Sequence, residues 1–181
     1  MTTMDPVTGR LDTTPAADRP DLLAAPVAAA VAVLADARVA EIDPALADTA
    51  ALCAAYDLPL STSANCVVVT GRRGGELRHA ACVVLATTRA DVNGLVRRRL
   101  DARKASFAST DFATEATGME YGGITPVGLP GDWLLLVDAA VVATPAVVIG
   151  SGLRRSKLVV AGAALLSLPG AEAVDGLGRP A

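Results

Sequence analysis

Two short apolar runs rich in β-branched residues form the clearest local pattern in the chain. They cover residues 66–69 and 80–85, and a glycine-rich segment from Thr70 to Glu76 separates them. Two such runs joined by a glycine-rich segment predict a β-hairpin. Both runs are apolar at consecutive positions, so we expect this sheet to be covered on both faces.

The other apolar segments predict short helices and strands without strict alternation. Asp43-Pro44 is typical of a helix start, and this helix is predicted to reach about Tyr56. Gly118 is typical of a helix C-terminus. Further helices are predicted over 24–37, 91–100, 112–117 and 163–168, and strands over 39–42, 105–108, 134–138, 146–149 and 157–160. This mixture predicts an α+β fold, a single compact domain with a mixed, mostly antiparallel sheet flanked by helices.

The first 20 residues differ from the rest of the chain. They are rich in Thr, Pro and Asp and lack an apolar period, so we expect a flexible N-terminal tail over residues 1–20. A chain of 181 residues has the length of one ordinary domain. We therefore expect residues 21–181 to form that domain.

Composition bounds the class of protein. Hydrophobic residues make up 52% and aromatic residues 3% of the chain, which excludes a wholly disordered protein. The longest uncharged apolar run, residues 24–35, contains Pro26 and is shorter than the roughly 20 residues that a membrane span needs. Acidic residues occupy the positions where a signal peptide has its basic region. We expect a cytoplasmic protein that does not act at a membrane.

Cysteine and histidine are scarce. The three cysteines, Cys53, Cys66 and Cys82, form no CxxC pair, so reduced buried thiols are predicted. His79 is the only histidine. Most zinc hydrolases and Ser-His-Asp enzymes are thereby excluded, and we expect no metal site. We interpret the thiols as inert and His79 as an exposed strand residue.

Charge is unevenly distributed along a chain of net charge −3. Residues 1–48 carry eight acidic and three basic residues, whereas most basic residues form local groups further on. Arginine suits phosphate geometry, but such groups are equally compatible with solvated faces. The groups are Arg72-Arg73 with Arg78, Arg89 with 97–99, Arg103-Lys104, and Arg154-Arg155 with Lys157.

A loop from Thr117 to Pro130 holds four glycines and two prolines. Glycines allow a ligand to approach main-chain N–H groups, which can hold a carbonyl oxygen or an oxyanion. A plain connecting loop is the alternative. Gly150-Ser151-Gly152 is either a second donor site or a tight turn. Asp138 either lies at a site mouth, pairs with an arginine or caps its strand.

From about Asn65 onward the chain resembles the YbaK family, also called the prolyl-tRNA-synthetase-associated editing domain. The order of features carries the resemblance: a hairpin, a helix near 91–100 and the basic-apolar step 103–108. Gly122-Gly123-Ile124-Thr125-Pro126 then matches the family's GGxSP-like loop, its most specific feature. A strand ending in Asp138 and the 150–152 turn follow.

The resemblance implies an aminoacyl-tRNA deacylase, a cytoplasmic hydrolase of translation fidelity that cleaves the ester of mischarged tRNA in trans. It implies no metal or organic cofactor and aminoacyl-tRNA as partner. The implied catalytic residues are Asn65, Gly122, Gly123, Ile124 and Thr125. The implied substrate-binding residues are Lys104, Pro126, Asp138, Gly150, Ser151 and Gly152. The implied tRNA contacts are Arg72, Arg73, Arg97, Arg98, Arg154 and Arg155.

One departure from the family leaves the function open. Family members typically carry a lysine on the first hairpin strand, where this chain has Asn65. An amide donates hydrogen bonds but carries no charge. Asn65 polarises the ester less strongly, or the substrate differs, or the chain is a non-catalytic aminoacyl-tRNA or aminoacyl-ligand binding module. An interaction protein that reuses the fold, with a homodimer as its form, is a further alternative.

Overall fold

Strand pairing organises the protein into a five-stranded, a four-stranded and a two-stranded sheet. The computed structural model describes residues 7–181. The strands are β1 Thr13–Pro15, β2 Arg38–Glu41, β3 Ala64–Arg73, β4 Glu76–Leu85, β5 Thr88–Ala90, β6 Lys104–Phe107, β7 Leu134–Asp138, β8 Val147–Gly150, β9 Ser156–Val160, β10 Ala171–Val174 and β11 Gly178–Pro180.

The helices are short, and several are 3₁₀ turns. The α-helices are α1 Ala25–Ala30, α2 Thr49–Tyr56, α3 Arg97–Arg99, α4 Thr110–Thr117 and α5 Ala139–Val142, and a π-helical turn, Val92–Val96, leads into α3. The 3₁₀ turns are Ala16–Asp18, Pro20–Leu22, Val31–Val33, Pro44–Leu46, Leu60–Thr62 and Gly162–Ser167. No helix within residues 7–181 is long and apolar enough to cross a membrane.

The predicted hairpin is confirmed and is longer than expected. Strands β3 and β4 pair antiparallel from Ala64 with Leu85 to Arg73 with Glu76. Gly74 and Gly75 form the turn with φ angles of +56° and +87°, a backbone conformation that suits glycine in a two-residue hairpin turn. The ladder therefore continues through the polar residues that the pattern assigned to a loop.

The hairpin lies in the centre of the five-stranded sheet, whose order is β10-β7-β4-β3-β6. Strand β6 pairs antiparallel with β3, and β7 pairs parallel with β4. The predicted α+β class with a mixed, largely antiparallel sheet is confirmed. Both faces of the hairpin are covered, because Val68 and Val83 belong to one core cluster and Val69 and Val84 to another.

The four-stranded sheet, in the order β1-β2-β9-β8, lies beside the beginning of the hairpin. A single parallel bridge joins Ser63 to Val148 of β8. Strands β8 and β9 pair antiparallel, with Gly150 opposite Lys157. The bridge therefore brings β8 and β9 next to the first residues of β3, where the candidate site lies.

The predicted helix over 43–56 is divided in two. The Asp43 carboxylate accepts a hydrogen bond from the Ala45 N–H and caps a 3₁₀ turn. Asp48 then accepts from the N–H groups of Ala50 and Ala51 and begins α2. An aspartate inside a helical pattern competes for backbone donors and starts a new helix. The helix predicted over 24–37 likewise ends early, at the 3₁₀ turn before Asp36, whose φ is +56°.

The expectation of a flexible tail is not matched over residues 7–20, and residues 1–6 lie outside the described residues. Strand β1 pairs antiparallel with β2, and the Arg10 N–H donates to the Tyr56 carbonyl at 2.8 Å. Leu11 and Ala16 are buried. Tertiary packing of single apolar side chains therefore orders a segment that lacks an apolar period.

The sequence pattern does not predict strands β10 and β11, because they are short and are formed by backbone pairing with β7 and β5.

Candidate functional site

A cavity of about 340 Å³ lies between the beginning of β3 and strands β8 and β9. Its walls come from the start of α2, the start of β3, the glycine-rich loop and the two strands of the neighbouring sheet. The lining residues are Ala47, Asp48, Thr49, Leu52, Ser63, Ala64, Asn65, Cys66, Val67, Tyr121, Gly122, Ile124, Val148, Ile149, Gly150 and Lys157. Four of the residues assigned to the site from the sequence thus meet here: Asn65, Gly122, Ile124 and Gly150.

A hydrogen bond from the first residue of α2 orients the Asn65 side chain. The Thr49 hydroxyl donates a 2.8 Å hydrogen bond to Asn65 Oδ1. An asparagine amide has one acceptor oxygen and two N–H donors. With its oxygen bonded to Thr49, the amide keeps its donors for a ligand in the cavity.

Lys157 is a buried cation that also lines this cavity. It is 7% exposed, and its Nζ donates to the Ala47 carbonyl at 3.1 Å and to the Gly122 carbonyl at 3.3 Å. Burial lowers the pKa of Lys157 below its ordinary value, and the neighbouring Arg154 lowers it further, against the opposing effect of Asp48. The ammonium therefore joins the start of α2 to the glycine-rich loop.

The sequence pattern places Lys157 in one basic cluster with Arg154 and Arg155 and does not predict it as a member of this site. A signal was present, because Lys157 stands in a strand with Leu158, Val159 and Val160. Lysine is almost never buried without a polar partner, so a lysine in such a strand points to a specific site.

The glycine-rich loop and the 150–152 turn hold each other through main-chain contacts. The Gly152 N–H donates to the Gly123 carbonyl at 2.7 Å, and the Glu120 N–H donates to the Gly152 carbonyl at 2.9 Å. A Cβ on Gly150 would lie 2.4 Å from the Gly123 oxygen and 2.6 Å from the Ile124 oxygen. Glycine at 150 is therefore required by this close approach.

The loop residues are not equivalent. The Gly123 N–H donates to the Glu120 carbonyl at 3.0 Å, so that donor is occupied. Within the described part of the chain, the N–H groups of Gly122 and Ile124 have no acceptor. Thr125 is fully buried away from the cavity, and its hydroxyl oxygen has no partner among residues 7–181.

Other residues assigned from the sequence lie outside the cavity. Pro126 lines a separate apolar depression beside Trp133. Asp138 stands at the N-cap of α5, where its side chain makes no capping hydrogen bond. Burial raises the pKa of the Asp138 carboxyl above its ordinary value, against the opposing effect of the nearby N–H groups of Gly178, Ala140 and Ala139.

Ser151 serves the packing of the turn rather than the cavity wall. Its hydroxyl lies 2.7 Å from that of Ser156, which donates to the Leu22 carbonyl at 2.6 Å. Gly152 adopts a φ of +86° beside Ala24 and Val27. This network anchors the strand end that holds Gly150.

A second, basic cavity of about 540 Å³ lies at the far end of β3. Its lining residues are Thr70, Arg72, Asn93, Arg97, Arg103, Lys104, Ala105 and Ser106. Among residues 7–181, none of its four cations forms an ion pair. Asn65 and Arg72 lie seven positions apart on β3, about 23 Å at the strand rise.

The remaining arginines assigned to tRNA contact differ in whether they bind other groups of the protein or are exposed. Arg73 pairs with Asp101. The Arg154 guanidinium donates to the carbonyls of Tyr121 and Pro44, at 3.0 and 3.1 Å. It thereby holds the glycine-rich loop against the start of the 3₁₀ turn Pro44–Leu46. Arg155 donates to the Asp21 carbonyl, whereas Arg98 is exposed on α3.

The thiols and the histidine are not placed for nucleophilic or base chemistry. Burial raises the pKa of the Cys66 thiol, which lines the cavity, and raises that of Cys82 to about 12. A thiol with a raised pKa is a poor nucleophile. His79 lies outside the cavity and stacks on Phe112 at 4.6 Å. Within residues 7–181, no cluster of three or more His, Cys, Asp or Glu residues is arranged to hold a metal ion.

Comparisons with known proteins identify relatives of this fold. The family model of the aminoacyl-tRNA editing domain matches residues 43–168. A solved structure described as a candidate trans-editing enzyme for prolyl tRNA synthetase is similar at 22% identity and a TM-score of 0.72, covering 86% of this chain and 96% of that one. A scaffold protein used to present grafted linear epitopes gives 22% identity and 0.71, covering 86% and 97%. A hypothetical protein gives 21% and 0.69, covering 79% and 91%. No curated protein matches the sequence significantly.

Proposed function

We propose that this chain, which belongs to the aminoacyl-tRNA editing domain family, hydrolyses the ester of mischarged aminoacyl-tRNA in trans. The observation that carries the proposal is the cavity at the start of β3. Its lining includes a side-chain amide, two loop residues whose N–H groups have no acceptor within residues 7–181, and a buried ammonium. Such preorganised donors suit an ester carbonyl oxygen on which negative charge develops.

In the proposed reaction, water adds to the ester carbonyl carbon and the bond from that carbon to the ribose oxygen breaks. The water supplies a hydroxyl to the released amino acid and a proton to the ribose oxygen, so tRNA leaves with a free hydroxyl. The Asn65 amide and the N–H groups of Gly122 and Ile124 donate to the carbonyl oxygen. No thiolate or imidazole takes part, in keeping with the high pKa of Cys66 and the position of His79.

The tRNA backbone is proposed to dock at the basic cavity. Four cations that form no ion pair within residues 7–181, including Arg72 and Lys104, line that cavity, and phosphates supply the opposite charge. In this arrangement the single-stranded 3′ end of the tRNA spans the distance of about 23 Å along β3 between the basic cavity and Asn65. Arg73, Arg154 and Arg155 act instead through the intramolecular contacts described above.

A non-catalytic aminoacyl-tRNA binding module is the second candidate. The neutral side chain at Asn65, where the family typically has a lysine, favours it, because an amide stabilises an oxyanion less than a cation does. Both candidates place the aminoacyl group in the same cavity. They differ in whether the ester is broken. A cytoplasmic location and a homodimer remain predictions.

The experiment is deacylation of a panel of mischarged tRNAs, including alanyl- and cysteinyl-tRNA for proline, with Asn65→Ala as comparison. We expect one ester to be hydrolysed above its spontaneous rate, with most of that activity lost in Asn65→Ala. Absence of turnover on every ester, together with measurable binding, would favour the binding module. Full activity in Asn65→Ala would remove Asn65 from the catalytic role.

A further inference from the structure

Lys157 occupies an unusual position for a surface-type residue. It is buried at the start of β9 and directly opposite Gly150 of β8, both of which line the cavity. Burying an ammonium costs free energy unless polar groups surround it. Its partners here are two main-chain carbonyls, those of Ala47 and Gly122, and no carboxylate within residues 7–181 forms an ion pair with it.

The ammonium has one donor left. A lysine Nζ carries three N–H groups and no acceptor, and the two carbonyls take two of them. In the described part of the chain the third N–H has no acceptor. Because Lys157 lines the cavity, an oxygen atom of a ligand bound there can accept a hydrogen bond from this N–H.

We propose that Lys157 is a catalytic residue of this site and donates its third N–H to the ester carbonyl oxygen of the bound aminoacyl group. This inference rests on the proposed deacylase function. The ammonium stays protonated throughout the reaction and stabilises the negative charge on that oxygen while water adds to the carbon. It thereby supplies the positive charge that the neutral Asn65 amide lacks, from a different strand.

The carbonyls that hold Lys157 also fix where its charge lies. Gly122 belongs to the glycine-rich loop that lines the cavity, and Ala47 lies two residues before Thr49, which orients Asn65. The ammonium is therefore anchored to both donor-bearing walls. A rigidly held donor needs little reorganisation when charge develops, which is the condition for strong transition-state stabilisation.

Burial and, to a smaller extent, three neighbouring groups influence the pKa of this lysine. Asp48 at the start of α2 and Cys53 within α2 favour its protonated form, while Arg154 in the turn before β9 opposes it. Burial is the largest influence and lowers the pKa of Lys157 from its ordinary value of 10.5. Activity that needs the ammonium is consequently lost as the pH rises through this lowered pKa.

The test compares wild type with Lys157→Met, Lys157→Arg and the control Arg38→Met. Methionine keeps the length of the side chain without its charge, and arginine keeps the charge at all accessible pH values. Arg38 lies exposed on β2, the strand beside β9, so its variant removes a positive charge outside the cavity. Deacylation is measured under single-turnover conditions with the spontaneous rate subtracted, and folding is checked by thermal unfolding.

We expect Lys157→Met to lower the rate constant by roughly 10²- to 10³-fold, the usual cost of losing one oxyanion donor. Arg38→Met keeps the wild-type rate. The wild-type rate falls at alkaline pH, and Lys157→Arg shows residual activity without that fall. If Lys157→Met does not fold, the pH profiles of wild type and Lys157→Arg decide, since a merely structural lysine would leave both with the same profile.

A binding measurement separates failure of this inference from failure of the proposed function. The probe is an alanyl-tRNA 3′ end whose ester is replaced by an amide, which keeps the carbonyl oxygen. If wild type hydrolyses no ester, the deacylase function fails. The role of Lys157 as a donor to the carbonyl oxygen is then supported only if Lys157→Met weakens binding of the probe at least tenfold. That role is overturned if folded Lys157→Met has the wild-type rate and affinity, or if wild type neither hydrolyses an ester nor binds the probe.

Discussion

The Thr49 hydroxyl donates a 2.8 Å hydrogen bond to the side-chain oxygen of Asn65. This contact joins the first residue of α2 to the second residue of β3 and fixes the orientation of the amide. Its consequence is that the amide presents donors rather than an acceptor to the cavity. The contact therefore determines which chemistry Asn65 can perform.

Removing the hydroxyl at position 49 is expected to impair Asn65 without removing it. Thr49→Val keeps the shape of the side chain and should lower deacylation severalfold, because the amide loses its orienting bond. Thr49→Ser keeps the hydroxyl and should retain most activity. Single-turnover rates of both variants provide the measurement, and equal rates for the valine and serine variants would contradict this role.

Replacing Asn65 by aspartate tests the need for donors directly. A carboxylate accepts hydrogen bonds and donates none when ionised, and it also repels a developing oxyanion. Asn65→Asp is expected to reduce the rate at neutral pH more than Asn65→Ala does. A rate for Asn65→Asp above that of Asn65→Ala would indicate a base at this position instead.

Gly150→Ala is expected to destabilise the fold at the cavity wall. Its added Cβ would meet the Gly123 and Ile124 oxygens at 2.4 and 2.6 Å, and both are main-chain atoms held by neighbouring contacts. Overpacking of this kind costs about 1–3 kcal/mol. Gly131→Ala is the matched control, because nothing lies within 4 Å of a Cβ there. Thermal unfolding of the two variants should differ by several degrees, and equal midpoints would contradict the close approach.

The basic cavity predicts a salt-dependent affinity for tRNA. Arg72→Gln and Arg103→Gln should each weaken binding and reduce the slope of log affinity against log salt by roughly 0.7–0.9 per lost phosphate contact. Arg10→Gln removes an arginine that pairs with Asp57 on another part of the protein and should leave the slope unchanged. An identical slope for all three variants and wild type would place the tRNA elsewhere.

Asp138 predicts a specific pH dependence of stability. Burial holds its folded-state pKa above the ordinary value of 3.8, so the folded protein binds this proton more tightly than the unfolded chain. The stabilisation from the protonated carboxyl is complete below pH 3.8 and is lost as pH rises through the higher folded value. The free energy of unfolding of wild type relative to Asp138→Asn should therefore fall over that window. A difference that stays constant from pH 3.5 to 7 would contradict the raised pKa.

The sequence by itself determined the elements whose signal is local. The hairpin, the strand Leu134–Asp138 and the helix that ends at Gly118 were predicted from apolar runs and turn residues. The family also followed from the sequence, because its glycine-rich loop is a contiguous motif. The resemblance also pointed to Asn65, Gly122, Ile124 and Gly150, which line one cavity in the structure, and their roles stay predictions.

Only the tertiary structure decided which residues share the cavity and which do not. Lys157 enters the site because β8 and β9 lie beside the start of β3, a relation between segments more than 80 residues apart that no local pattern encodes. Lys104 pairs with Arg72 at the far end of β3, and Asp138 ends β7, two strands away from Asn65, so neither residue lines the cavity. Residues 7–20 and strands β10 and β11 likewise depend on long-range backbone pairing. Local periodicity reports propensity and burial, whereas a site is set by contacts between distant segments.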